Sequence, residues 1–167
     1  METKTTPAPP PFGTFGFKLQ VFTNFINDCG GEDAFMKRPL VKEPLTCWDV
    51  CHKFIKPQTL HAECTYLEYF TESARGSPHV GEAQVYVCHA WSDLFLETVH
   101  SLRHHFNDKP DTFIWFDLFC NNQHTLPEKS LPEAYHISFA RTLKKITSTS
   151  AIIIMNHWDN PQVLKRT

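Results

Sequence analysis

From Ala83 onward, apolar and polar positions follow one another in an order that predicts alternating strands and helices. Ala83-Gln-Val-Tyr-Val-Cys-His89 alternates as a strand does. Phe95, Leu96, Val99, Leu102 and Phe106 then keep helical spacing, with Ser92 or Asp93 as the expected cap. Asn107 to Asp111 reads as a turn, and Thr112 to Phe119 as a second strand. A loop through Pro127 and Pro132 leads to a helix with Ile137, Phe139, Ala140, Leu143 and Ile146 inward. Ser150 to Met155 is apolar on both faces, as a central parallel strand is. This succession predicts right-handed βαβ crossovers and a parallel sheet of three legible strands. The expected fold class is α/β.

The residues before this unit read differently. Residues 1–12 are rich in Pro and Thr and predict a disordered lead-in. Residues 13–81 read as a helical N-terminal segment. Phe15, Phe17, Leu19 and Val21 alternate, but Phe15, Leu19, Phe22 and Ile26 form a helical stripe, which favours a helix from about Leu19. Cys29-Gly-Gly31 ends it. A second helix, Leu45 to Phe54, starts at Thr46 as N-cap and is expected to close at Pro57. A third runs from about Leu60 to Phe70, and Glu72 to Gly81 reads as a polar connector.

Composition bounds the function more than the fold. A chain of 167 residues with 41% apolar content suits a single domain with a filled core. Sixteen Lys and Arg against eighteen Asp and Glu leave a charge of -2, so no whole-surface field attracts nucleic acid or an anionic membrane. No stretch nears the ~18–20 apolar residues a bilayer span needs. The first residues lack the pattern of a secretory signal, so the six Cys are expected reduced and the protein cytoplasmic.

Open parallel sheets bind ligands beyond the carboxyl ends of their strands. The first strand leads there into His89, Ala90, Trp91 and Asp93, the second into Asp117, Asn121, Asn122 and His124, and the third into Trp158. Amides and imidazoles bond ribose hydroxyls, and indoles stack on planar rings, so these residues form the candidate ligand-binding set. The competing reading is structural: Asp and Asn shape turns, and Trp fills the seam between sheet and helix.

Other chemistries fit less well. Cys88 and His89 are neighbours on a strand and point to opposite faces, so they form no dyad with each other. Cys120 and His124 share a loop, but nothing visible lowers the thiol pKa. Neither a G-x-G-x-x-G nor a P-loop is present, so no bound cofactor is expected. Cys47, Cys51 and Cys64, with His52 or His61, have the donors for zinc. Paired C-x₂-C knuckles are absent, however, and Cys is common on buried helix faces, so no metal site is assigned.

Val85-Tyr-Val-Cys-His-Ala-Trp-Ser-Asp93, Ile114-Trp-Phe-Asp117 with Asn121-Asn-Gln-His124, and Ile152-Ile-Ile-Met-Asn-His-Trp-Asp-Asn-Pro161 followed by Leu164-Lys-Arg166 resemble a TIR (Toll/interleukin-1 receptor) domain of the divergent protist, algal and fungal kind. Val50-Cys-His-Lys-Phe-Ile-Lys-Pro57 resembles a helical lead-in found in that group. The resemblance implies a flavodoxin-like βαβαβ order within a five-stranded sheet, with residues 82–167 an incomplete TIR-like domain. It implies signalling by assembly, through self-association or other TIR-like domains, and NAD⁺ as substrate in the enzymatic members. Their catalytic Glu lies in a Trp-Cys-x-x-Glu segment after the Leu-x-Arg element, and this sequence ends at Thr167. The chain is therefore expected to be inactive on NAD⁺. Cys88 stands where Ser is usual, and Asn156-His157 where Ser-Pro is usual.

Overall fold

The computed structural model describes residues 13–36, 43–74, 78–125, 140, 142–146 and 150–155. Five strands, β1 (Phe15–Phe17), β2 (Val80–Glu82), β3 (Val85–Cys88), β4 (Ile114–Phe116) and β5 (Ala151–Ile153), form one sheet in the order β2-β1-β4-β3-β5. β3 pairs in parallel with β4 on one side and β5 on the other. β1 runs antiparallel to both β4 and β2. The protein is thus α/β, but its sheet is mixed. The three legible strands expected from the sequence do pair in parallel as β4-β3-β5, but the antiparallel β1 and β2 make the full five-stranded order differ from the flavodoxin-like one expected.

The correction comes from the segment read as helical. Phe15–Phe17 and Val80–Glu82 form a hairpin-like pair across 62 intervening residues and extend the sheet beyond β4. Gly16 makes this pairing fit: a Cβ there would lie 2.7 Å from the Ile114 carbonyl carbon and nearer still to its oxygen. β5, read as a central strand, is an edge strand among the described residues, with Ile153 55% exposed and Ile154 buried.

The helices follow the apolar stripes closely. Helix α1 (Gln20–Asp28) buries Val21, Phe22, Phe25 and Ile26. It ends in a Schellman motif, in which Gly31 N donates to Ile26 O and Gly30 N to Asn27 O, both glycines having positive φ. Helix α2 (Cys47–Val50) starts at the expected Thr46, whose hydroxyl accepts from Asp49 N while the Asp49 carboxylate accepts from Thr46 N. Pro57 does not close this helix. A π turn (Cys51–Ile55) shifts the hydrogen-bond register, and Pro57 falls in the first turn of α3 (Lys56–Thr59), where its missing N–H is tolerated. Helix α4 (Tyr66–Ala74) begins later than expected. Helix α5 (Phe95–His105) connects β3 to β4, and its N-cap is Leu94, not Ser92 or Asp93.

The last part of the expected second strand is instead a short helix, α6 (Asp117–Cys120). Residues 142–146 are helical, as the spacing predicts, and Ile146 is buried. The expected lead-in at 1–12, most of the helix from Ile137, and Trp158 lie outside the described residues.

One face of the sheet carries an aromatic core. Phe17, Phe116, Phe119 and Tyr66 meet Phe22 and Phe25 of α1 and Phe95 of α5, with ring centroids 4.6 to 6.1 Å apart. Such rings bury large areas and fix one another edge to face. On the other face Tyr86 lies 5.3 Å from Trp115, whose indole donates to Gly13 O. No helix of the described residues is long and apolar enough to cross a membrane.

Candidate functional site

β3 and β4 are parallel neighbours, so the residues after Cys88 and after Phe116 emerge at the same edge of the sheet. His89 continues the alternation of Val85 and Val87 and stacks on Phe116 at 4.5 Å. Its Nε2 lies 2.7 Å from Asp117 Oδ1, and its Nδ1 lies 3.1 Å from the Ala90 carbonyl. Trp91 Nε1 donates to Asp117 Oδ2 at 2.9 Å. Three of the expected residues are thereby joined around one carboxylate.

With Asp117 ionised, the Ala90 carbonyl and the Asp117 carboxylate both only accept, so both ring nitrogens of His89 donate and the ring is an imidazolium. Burial by itself disfavours that charge, since the side chain is 1% exposed, but the facing Asp117 carboxylate outweighs it and raises the pKa well above the ordinary value. Burial likewise opposes ionisation of Asp117. His89 and the Trp91 indole overcome it, holding the carboxyl below its usual range. The result is a buried, ionised pair.

The neighbouring loop is built to hold it. Asp93 N donates to Ala90 O, and the Asp93 carboxylate accepts from Ala90 N, closing the turn after His89. That turn is fastened to α2: Cys47 N donates to Asp93 O, Trp48 N to Trp91 O and Phe95 N to Leu45 O. Trp48 therefore stands beside Trp91, with ring centroids 5.9 Å apart, while His52 covers it at 4.1 Å. Trp48 keeps 52% of its surface exposed. Sequence reasoning missed it because the 46–55 segment carried no ligand-binding signal beyond the zinc pattern.

The remaining expected residues divide. Asn121, one turn after Asp117, is buried, and its Oδ1 has no hydrogen-bond partner among the described residues. Asn122 and His124 turn away from the ion pair. Asn122 Nδ2 donates to Glu63 O, and its Oδ1 accepts from His124 N. Thr59 Oγ1 donates to Ile55 O, so it accepts the proton of His124 Nε2 at 2.8 Å. These two residues anchor the loop after α6 to the region around α3. Gln123, absent from the expected set, caps α6 by donating to Asp117 O and Leu118 O.

Burial disfavours the thiolate forms of Cys51 and Cys120. It pushes Cys51 up to about 12 and raises Cys120 further, while His124 is committed to Thr59, so Cys120 and His124 form no dyad. Among the described residues no three metal-ligating side chains gather, and Cys47 and Cys51 are core residues. A cavity of about 540 Å³ lies elsewhere, between α4 and the β1–β2 pair.

Comparison with family models, with curated proteins and with solved structures finds no match to this chain.

Proposed function

We propose that the chain is a TIR-like signalling and assembly domain of an NAD⁺-hydrolase lineage, which recognises a nucleotide such as NAD⁺ at this sheet edge without cleaving it. The observation that carries the reading is the ionised His89–Asp117 pair, tied to Trp91, at the carboxyl ends of two adjacent parallel strands. That is where open parallel sheets place ligands. The unpartnered Oδ1 of Asn121 offers an acceptor for a ribose hydroxyl, and the exposed ring of Trp48 offers a face for a base. The flavodoxin-like parentage rests on β4-β3-β5, in which the first strand of the βαβ unit is central.

Asp117 has no part in bond cleavage on this reading. Both its oxygens are engaged and its charge is balanced by His89, so it positions the edge and leaves a leaving group unassisted. Calorimetric titration with NAD⁺, with nicotinamide release followed in parallel, tests the proposal. Binding without turnover supports it. Clear turnover, or no binding at millimolar NAD⁺, overturns it. Mass measurement in solution across concentration tests the assembly arm, which fails if the chain stays monomeric with and without nucleotide. A nucleotide-binding monomer would leave the alternative of a small non-enzymatic α/β binding protein.

A further inference from the structure

The cavity between α4 and the β1–β2 pair shares no residue with the His89–Trp91–Asp117 group. Its volume of about 540 Å³ lies within the range of small-molecule sites, roughly 300–1,000 Å³. Phe15, Leu67 and Val80 give it apolar walls, and Phe15 remains 53% exposed although it sits in a strand. The rim on α4 is polar and one-sided. Glu68 and Glu72 lie one helical turn apart, and among the described residues that line the cavity there is no Lys, Arg or His.

The hydrogen bonds of that rim decide what it can bind. Thr71 Oγ1 gives its proton to Leu67 O at 2.7 Å, leaving only its lone pairs toward a ligand. The Thr65 hydroxyl gives its proton to Glu68 Oε2, which also accepts from Thr65 N. Glu68 Oε1 and the Glu72 carboxylate make no hydrogen bond among the described residues. The hydroxyls and carboxylates of the described wall therefore present acceptors to a ligand, and the only side-chain donor among them is the weak S–H of Cys120.

We infer that this cavity is a binding site for a small organic cation, an ammonium group carried on an apolar body. The apolar part is buried against Phe15, Leu67 and Val80, and the ammonium protons meet the free carboxylate oxygens of Glu68 and Glu72. An anion is repelled by both carboxylates. A neutral molecule of the same shape gains the burial but not the charge-assisted hydrogen bonds.

Three probes of matched shape test this on the full chain: 2-phenylethylamine, 2-phenylethanol and phenylacetate. Calorimetry measures affinity, and methyl NMR shifts of Leu67, Val80 and Thr71 locate it. The amine is expected to bind and shift these methyls, the alcohol to bind about fivefold more weakly, and phenylacetate not to bind. The variant carrying Glu68→Gln and Glu72→Gln keeps an acceptor for the Thr65 cap, and its fold is checked by circular dichroism. It should bind the amine no better than the alcohol and leave alcohol affinity unchanged. Equal affinity for amine and alcohol, an unaltered amine affinity in the double variant, shifts confined to other methyls, or no amine binding at millimolar concentration would each overturn the assignment.

Discussion

His89 Nε2 and Asp117 Oδ1 lie 2.7 Å apart, joining the residue that follows β3 to the residue that follows β4. Since the imidazole also donates to Ala90 O, the pair is a charged clamp across two strand ends and their loops. Replacing Asp117 by Asn keeps the volume but leaves the buried imidazolium without its counter-charge. Removing one partner of a buried pair costs about 3–5 kcal/mol, and the lower end applies because Asp117 retains 19% side-chain exposure. Urea denaturation of Asp117→Asn should show a loss of about 3 kcal/mol. A loss below about 0.5 kcal/mol, typical of exposed pairs, would contradict a clamp.

The same pair sets the pH dependence of stability. The folded pKa of His89 is raised above 6.5, so its contribution is complete below that value and declines as pH rises through the raised pKa. The folded pKa of Asp117 is lowered below 3.8, so its contribution is present above that value and is lost as pH falls through the lowered pKa. Stability from this pair is therefore greatest between about pH 4 and 6.5 and falls on the alkaline side. Thermal midpoints across pH, compared with His89→Asn, check the sign: the alkaline decline should flatten in the variant.

Gly16 is fixed by contact. Its backbone passes so close to Ile114 that any Cβ collides with the carbonyl group, which belongs to the sheet and cannot swing away. Gly16→Ala should cost at least about 2 kcal/mol and loosen the pairing of Phe17 with Ile114. Chemical denaturation gives the first quantity. Amide exchange at Ile114 and Phe17 gives the second, and unchanged protection there would refute the pairing.

Trp48 bears on the proposed nucleotide. Trp48→Ala removes an exposed ring beside Trp91 without touching the ion pair, so folding stability should change little. NAD⁺ affinity should fall about tenfold, the weight of one base stacked on an indole. Calorimetry on variant and parent decides. Equal affinities would place the base elsewhere.

The candidate site was legible where chemistry and local pattern coincide. His89, Trp91 and Asp117 stand at ends of strands that alternation and crossover spacing locate, and strand ends are where polar residues of an α/β sheet collect. Asn122 and His124 stood at an equally good position, and nothing in their sequence distinguishes a ligand contact from a bond to Thr59 or Glu63. Their partners lie 59 and 65 residues away, beyond any local signal. Trp48 was missed for the same reason, since it is brought to Trp91 by backbone hydrogen bonds between two distant segments.

The sequence by itself determined β3, α5 and β4, the N-cap at Thr46 and the glycine-terminated end of α1, because periodicity, caps and C′ glycines act within a few residues. Only the tertiary structure decided the rest. Three-residue strands such as Phe15–Phe17 and Val80–Glu82 are too short to show a period, and they exist because β4 offers an unpaired edge at which Gly16 fits. The π turn that carries the helix past Pro57 is likewise a register change whose support comes from burial of Cys51 and Ile55 in the shared core. The charge of His89 follows from its partners, for an imidazole in isolation would be mostly neutral at pH 7, and the facing Asp117 carboxylate makes it a cation against the opposing effect of burial.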